Sequence, residues 1–196
     1  MTDDNVQTSR TPGRPRHSET DANIKDVARR MVREHGYRQV SIAQIIKEAG
    51  VARQTLYRRW PTKADLILAA FYENAQTPPD PSEMPGTWRD RLEAFLIRIA
   101  DHLARDGKPI RNLIASAQED PGFHASFRDQ FVVPLDKTMQ DLLHHAQQAG
   151  ELPGGADPQV LCDMIHGLFW YRLLNDQPLT ADLARGVVVQ VFAGSA

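Results

Sequence analysis

Between Ser41 and Pro61 the chain has room for two short helices, a tight turn and little else. "SIAQ" opens the first helix as a capping box, in which the Ser41 hydroxyl takes an orphan N–H and Gln44 reaches back to the cap. Ile42, Ile45 and Ile46 give that helix one apolar face, and Gly50 can take the left-handed conformation that ends it. The next segment, "ARQTLYRR", predicts a helix over 52–58, which Pro61 stops. A helix, a glycine-containing turn and a second short helix make a helix-turn-helix. Any fold for this chain has to accommodate that unit.

The flanking sequence is helical as well. Ile24, Val27, Ala28, Met31 and Val32 recur with the helical period and stop near Gly36. Thr62 and Asp65 cap a fourth helix, "TKADLILAAFYENA". "TPPDPSEMPG" then places four prolines in ten residues, which marks a boundary. Beyond it, Trp88, Leu92, Phe95, Leu96, Ile99 and Leu103 form a helical stripe, and a separate helix is expected over 109–118. Asp120 and Pro121 open a long helix to about Ala149, which Pro134 should kink or split. Asp157-Pro158 starts another, and Thr180 caps the last. No stretch alternates as a strand does, so the class is all-α. The expected division is a flexible basic arm over 1–17, a head over 18–78 with the helix-turn-helix at 41–60, and a second helical domain over 87–196.

Charge separates the same two blocks. From Arg10 to Lys63 there are 13 basic residues against 5 acidic, whereas 64–196 hold 10 basic against 18 acidic. A basic third joined to an acidic remainder suggests that only the first block meets a polyanion.

The second helix of a helix-turn-helix can enter the DNA major groove, where base edges are displayed. Arg53 and Gln54 at its start suit guanine and adenine edges, respectively. Thr55 can reach a base or a phosphate. Tyr57, Arg58, Arg59 and Lys63 are placed for phosphates, with Lys63 joined by backbone N–H groups at the start of the fourth helix. Arg14 and Arg16, in "GRPR", can enter a narrow minor groove or simply add nonspecific attraction.

These residues also resemble a family. "SIAQIIKEAGVARQTLYRRWPTKADLILAAF" is similar to the DNA-binding segment of TetR-family transcriptional regulators. The shared pattern falls on Ser41, Ile42-Ala43, Ala49-Gly50-Val51, Thr55-Leu56-Tyr57, Trp60, Lys63 and Leu66, and the specific resemblance covers about 20–73. Ala52, Gln54, Arg59 and Trp60 depart from it, where the family usually has Ser, Gly, His and Phe. Ser41 joins the DNA-contact set as the residue opening the motif. The resemblance implies a three-helix head, a fourth connecting helix, and a helical bundle, about nine helices in all, assembled as a homodimer on palindromic operator DNA. It also implies a ligand-responsive regulator, most simply a repressor.

The second block fits that layout. "DPQVLCDMIHGLFWYRLLND" is apolar on nearly all sides, which requires burial on two of them. Its own domain supplies one side and a partner subunit can supply the other, with Leu161, Ile165, Leu168, Phe169, Val188 and Phe192 as the candidate interface. A pocket for a small hydrophobic effector is expected among Trp88, Phe95, Ile99, His102, Phe123, Phe127, Met139 and Trp170, although plain core packing is the first reading of each taken singly.

Other classes find less support. No phosphate loop, nucleophile elbow or His-Glu-x-x-His pair appears, so neither an enzyme nor a cofactor is expected. His144 and His145 are adjacent and diverge on a helix, and His102, His124 and His166 carry no metal-ligand spacing, so no metal is expected. Cys162 is the only cysteine and fits a reducing cytosol, as a buried small residue or a redox-active thiol. Apolar runs are too short to span a membrane, and nothing at the N-terminus points to export. A helical protein-interaction module with nonspecific DNA binding remains the alternative, but it leaves the base-reading layout unexplained.

Overall fold

The computed structural model describes residues 16–75 and 84–193, with side chains over 18–72 and 84–193. Arg14 lies outside these residues, as do the side chain of Arg16 and most of the proline-rich boundary. Among the described residues there are nine α-helices, one π-helical turn and no strand. The helices are α1 (Arg16–His35), α2 (Ile42–Ala49), α3 (Arg53–Tyr57), α4 (Lys63–Ala75), α5 (Trp88–Glu119), α6 (Pro121–Phe127), α7 (Val133–Gln148), α8 (Pro158–Leu174) and α9 (Ala181–Val191).

The caps read from the sequence are formed. Gln44 N–H donates to Ser41 Oγ at 3.3 Å and Ser41 N–H donates to Gln44 Oε1 at 2.8 Å. Gly50 ends α2 with φ 66°. Thr62 and Asp65 reciprocate at the start of α4, Asp120 accepts from Gly122 and Phe123, and Thr180 accepts from Leu183.

α1 to α4 form the head. Ile24 and Ala28 of α1, Ile45 of α2, Leu56 of α3 and Leu66, Ile67 and Ala70 of α4 are fully buried. Arg29 Nε and Nη2 donate to Ala70 O at 2.8 and 2.6 Å, and Asn23 Nδ2 donates to Ala49 O at 3.0 Å. Trp60 packs half-buried against the same core. The five-residue α3 is therefore held from behind while its N-terminal side faces out.

The body departs from the sequence expectation at Pro109. α5 is one helix of 32 residues running through Pro109, where a break was expected. An internal proline costs about 3 kcal/mol, but Leu92, Leu96 and Ala100 before it and Ile110 and Leu113 after it are all buried. Gly107 lets α8 approach closely, since a Cβ there would lie 3.2 Å from Leu173 Cδ1. Pro134 does interrupt its helix, and the interruption takes the form of a π turn at Arg128–Val132, in which Val133 N–H reaches Arg128 O. The wider loop relieves the clash between the proline ring and the preceding turn.

Head and body are joined by specific contacts. Arg33 of α1 pairs with Asp106 of α5, Tyr37 stacks on Phe123 of α6 at 4.5 Å, and Gln130 in the π turn donates to Asp65 of α4 at 2.7 Å. Tyr72 of α4 meets Phe131 edge-on at 6.0 Å.

The candidate dimer residues need correction. Ile165, Phe169, Val188 and Phe192 are buried within the chain and fix α8 and α9 to the body. Leu161 and Leu168 are half-buried, and the open face of α8 instead carries Val160, Met164, Tyr171 and Leu174. A helix apolar all round has no phase in its sequence, so the sequence alone does not separate the face packed on the body from the exposed one. Among the described residues no helix is long and apolar enough to cross a membrane.

Candidate nucleic-acid interface and effector cavity

On α3, Arg53 and Gln54 are exposed and Thr55 is half-buried. Ala52 gives α3 no side-chain cap, and the Thr55 N–H is met by Ala52 O at 3.0 Å. The Arg53 guanidinium lies over the Tyr57 ring at 5.2 Å, which restrains both on the outer face. Arg58 is exposed beside them. This group can present one fork of donors and one amide to a major groove, flanked by phosphate-reaching groups.

Three residues of the expected DNA set are engaged otherwise. Arg59 Nε lies 2.6 Å from Asp21 Oδ1 of α1, bracing α3 against α1. Lys63 Nζ donates to Tyr37 O at 2.7 Å and sits over the Tyr37 ring at 4.1 Å, and burial lowers its pKa. The Ser41 hydroxyl donates to Gln44 Oε1 at 2.8 Å, so its proton serves the cap. At the start of α4, Asp65 Oδ2 accepts from Thr62 N–H at 3.0 Å, so that one backbone donor is already engaged within the helix cap. Asp21 and Tyr37 are the residues that sequence reasoning missed here, and no periodicity marks such distant partners.

The body encloses a cavity of about 50 Å³ between α5, the π turn, α7 and α8. Ile99, His102, Met139 and Trp170 line it as expected, joined by Phe131, Val132, Leu135 and His166, which were not anticipated. Trp88, Phe95, Phe123 and Phe127 are not among its lining residues. Trp88 stacks on His145 at 4.6 Å, and Phe123 belongs to the Tyr37 contact. Phe127 forms an outer layer, 5.2 Å from Phe131 and 6.3 Å from Trp170.

His102 is the cavity's unusual polar group. It is 3% exposed, and neither ring nitrogen has a hydrogen-bond partner. Burial pushes its pKa down to about 4, although Asp106, whose carboxylate lies 3.7 Å from Nδ1, pulls upward. A neutral imidazole in an apolar wall offers one donor and one acceptor to whatever enters. His166, on the opposite wall, has its pKa lowered by burial as well.

Comparison with known proteins agrees with this geometry. The family model for bacterial regulatory proteins of the tetR family matches residues 24–70, and that for the tetracyclin repressor-like C-terminal domain matches residues 84–191. The chain is 30% identical over 184 residues to the HTH-type transcriptional regulator YdeS of Bacillus subtilis, covering 93% of this chain and 92% of that one. It is 35% identical over 168 residues to the fatty acid metabolism regulator protein of the same organism, covering 79% and 84%. Its fold matches the crystal structure of Bacillus subtilis FadR in complex with stearoyl-CoA, with a TM-score of 0.67 at 23% identity over 88% and 97% of the two chains. With an outward-facing helix-turn-helix at one end and a sensor-type helical bundle at the other, the chain belongs to the TetR family of transcriptional regulators and has that family's DNA-binding domain.

Proposed function

We propose that the chain is a repressor that binds a palindromic operator as a homodimer and leaves it when a largely apolar small molecule occupies the cavity. Arg53, Gln54 and Thr55 read base edges, while Tyr57 and Arg58 hold phosphates. Arg59, Lys63 and Ser41 act one step back, by fixing the pose of α3 and the start of α4. The exposed stripe of Val160, Met164, Tyr171 and Leu174 pairs α8 with its counterpart across a two-fold axis, and α9 flanks it. Two recognition helices are then held for half-sites in successive major-groove turns.

The observation that carries this reading is the contact between the cavity wall and the head. Phe131 lines the cavity and touches Tyr72 of α4, and its neighbour Gln130 holds Asp65 of the same helix. At about 50 Å³ the cavity is far below the ~300–1,000 Å³ of typical ligand sites, so a ligand enters only by moving that wall. Wall and α4 move together, and the spacing of the heads changes with them. The ligand thus prefers the conformation that fits DNA poorly, which is the thermodynamic requirement for release.

The lining favours an effector with an apolar body and one hydrogen-bonding group for His102. Fatty acyl compounds are the first class to try, given the similarity to a fatty acid metabolism regulator. The test is selection of bound genomic fragments by the purified protein, with footprints at several salt concentrations and with acyl compounds added. A palindromic, salt-sensitive footprint lost on addition of ligand is the expected result. Diffuse, sequence-independent binding would overturn the operator reading.

A further inference from the structure

We propose that Asp136, Cys162 and His166 form a binding site for a borderline-soft divalent cation of the zinc class. One ligand atom from each residue lies within 4.8 Å of the other two. Asp136 Oδ1 is the hub, 3.1 Å from Cys162 Sγ and 3.6 Å from His166 Nδ1. Zinc bonds of about 2.0–2.3 Å at tetrahedral angles put neighbouring ligand atoms about 3.3–3.6 Å apart. Shifts of a few tenths of an ångström at Asp136 would therefore suffice on those two edges.

The backbone holds this arrangement without help from a loop. Cys162 and His166 stand one turn apart on the same face of α8. Asp136 reaches them from α7, which packs alongside. Its second oxygen is fixed from outside, since Gln140 Nε2 donates to Asp136 Oδ2 at 2.9 Å and also to Gln159 Oε1 at 2.7 Å. A carboxylate oriented by an outer hydrogen bond is how metal ligands are commonly held. His166 and Asp136 side chains are 23% and 32% exposed, so an ion can enter although Cys162 is buried.

The ligand chemistry selects the cation. One thiol, one imidazole and one carboxylate are a poor set for calcium or magnesium, which take oxygen, and a good set for zinc. On binding, the thiol proton leaves to solvent and the sulfur coordinates as thiolate. Thiolate, carboxylate and neutral imidazole around a doubly charged cation sum to zero, so a half-buried site carries no net charge. Three protein ligands leave a fourth position for water. Because His166 also lines the cavity, occupancy would be felt at its wall. Neither operator binding nor the effector is needed for this assignment.

The experiment is cobalt titration of the full-length, chelator-treated protein, followed by zinc displacement. The expected result is one cobalt per chain, with a thiolate-to-cobalt charge-transfer band and the intense visible bands of a tetrahedral ion, both abolished by one equivalent of zinc. Cys162→Ser should remove the charge-transfer band, and Asp136→Asn and His166→Ala should each weaken zinc binding at least tenfold, read by competition with a chromophoric chelator. Thermal melting of each metal-free variant reports whether it is folded, and zinc should raise the melting temperature of the parent chain but not of Cys162→Ser. No charge-transfer band in the parent chain, or metal binding unchanged in all three variants, would overturn the proposal and leave a hydrogen-bonded cluster in its place.

Discussion

Arg33 of α1 in the head and Asp106 of α5 in the body form an ion pair, with Nε and Nη2 at 2.7 and 2.6 Å from the same carboxylate oxygen. Asp106 is fully buried and Arg33 is 43% exposed, so the two ends of the pair are not equivalent. Removing Arg33 leaves a carboxylate in the interior next to a neutral imidazole. Removing both partners leaves no stranded charge.

Arg33→Met should therefore destabilise the chain by about 1–3 kcal/mol, below the 3–5 seen for pairs buried at both ends, because the guanidinium keeps part of its hydration. Asp106→Asn combined with Arg33→Met should recover much of that loss. Denaturant unfolding of the two single variants and the double variant measures the coupling directly. Strictly additive effects would mean that the pair does not join the domains energetically.

At the DNA face the variants should separate by type. Arg53→Ala should cost about 1–3 kcal/mol at a cognate operator and relax base preference at one position. Arg58→Ala should weaken binding to all sequences and reduce the salt slope by about one. Arg59→Ala should act through the lost Asp21 brace, lowering thermal stability along with affinity. Binding isotherms on cognate and scrambled duplexes at three salt concentrations distinguish the three cases.

The helical class, the caps and the position of the recognition helix were legible because each depends on residues within one or two turns. Ser41 with Gln44, Thr62 with Asp65, and Asp120 with Phe123 are local partnerships that spacing reveals. What stayed hidden depends on residues far apart. Lys63 meets Tyr37 across 26 positions, and Cys162 meets Asp136 across another 26. Pro109 misled for the opposite reason, since its local cost is outweighed by burial on both sides of it. The exposed face of α8 stayed hidden because Ile165 and Met164 are equally apolar in sequence, yet one is 3% exposed and the other 65%.

That difference gives a prediction about assembly. Met164→Arg places a charge on the exposed stripe without touching the core, so the monomer should fold with its helical content unchanged. Sedimentation should show dissociation at concentrations where the parent chain is dimeric, and affinity for a palindrome should fall far more than affinity for a half-site. A sedimentation profile identical to that of the parent would move the interface away from α8.

His102 makes stability depend on pH. Its folded pKa, about 4, lies below the 6.5 of an unfolded histidine, so the unfolded chain binds the proton more readily. Stability from the neutral ring is fully present above about pH 6.5 and is lost as pH falls toward 4, by roughly 3 kcal/mol for a shift of this size. His102→Gln should flatten the corresponding part of the unfolding free energy plotted against pH. An unchanged slope would assign that acid sensitivity to other groups.

As an effector site, a cavity of about 50 Å³ lined in part by Phe131, Val132 and Trp170 would also set how the protein responds to concentration and to time. If the open form is rare, every ligand's apparent affinity is reduced by the fraction of chains that are open, whatever the ligand's own contacts. Short molecules bring too little apolar surface to offset that reduction, while each added methylene contributes about 0.8 kcal/mol once buried. Discrimination then works as a threshold on size, more than as recognition of a particular shape. Capture would be limited by how often the wall opens, so transcription governed by such a sensor would follow sustained supply and pass over brief pulses.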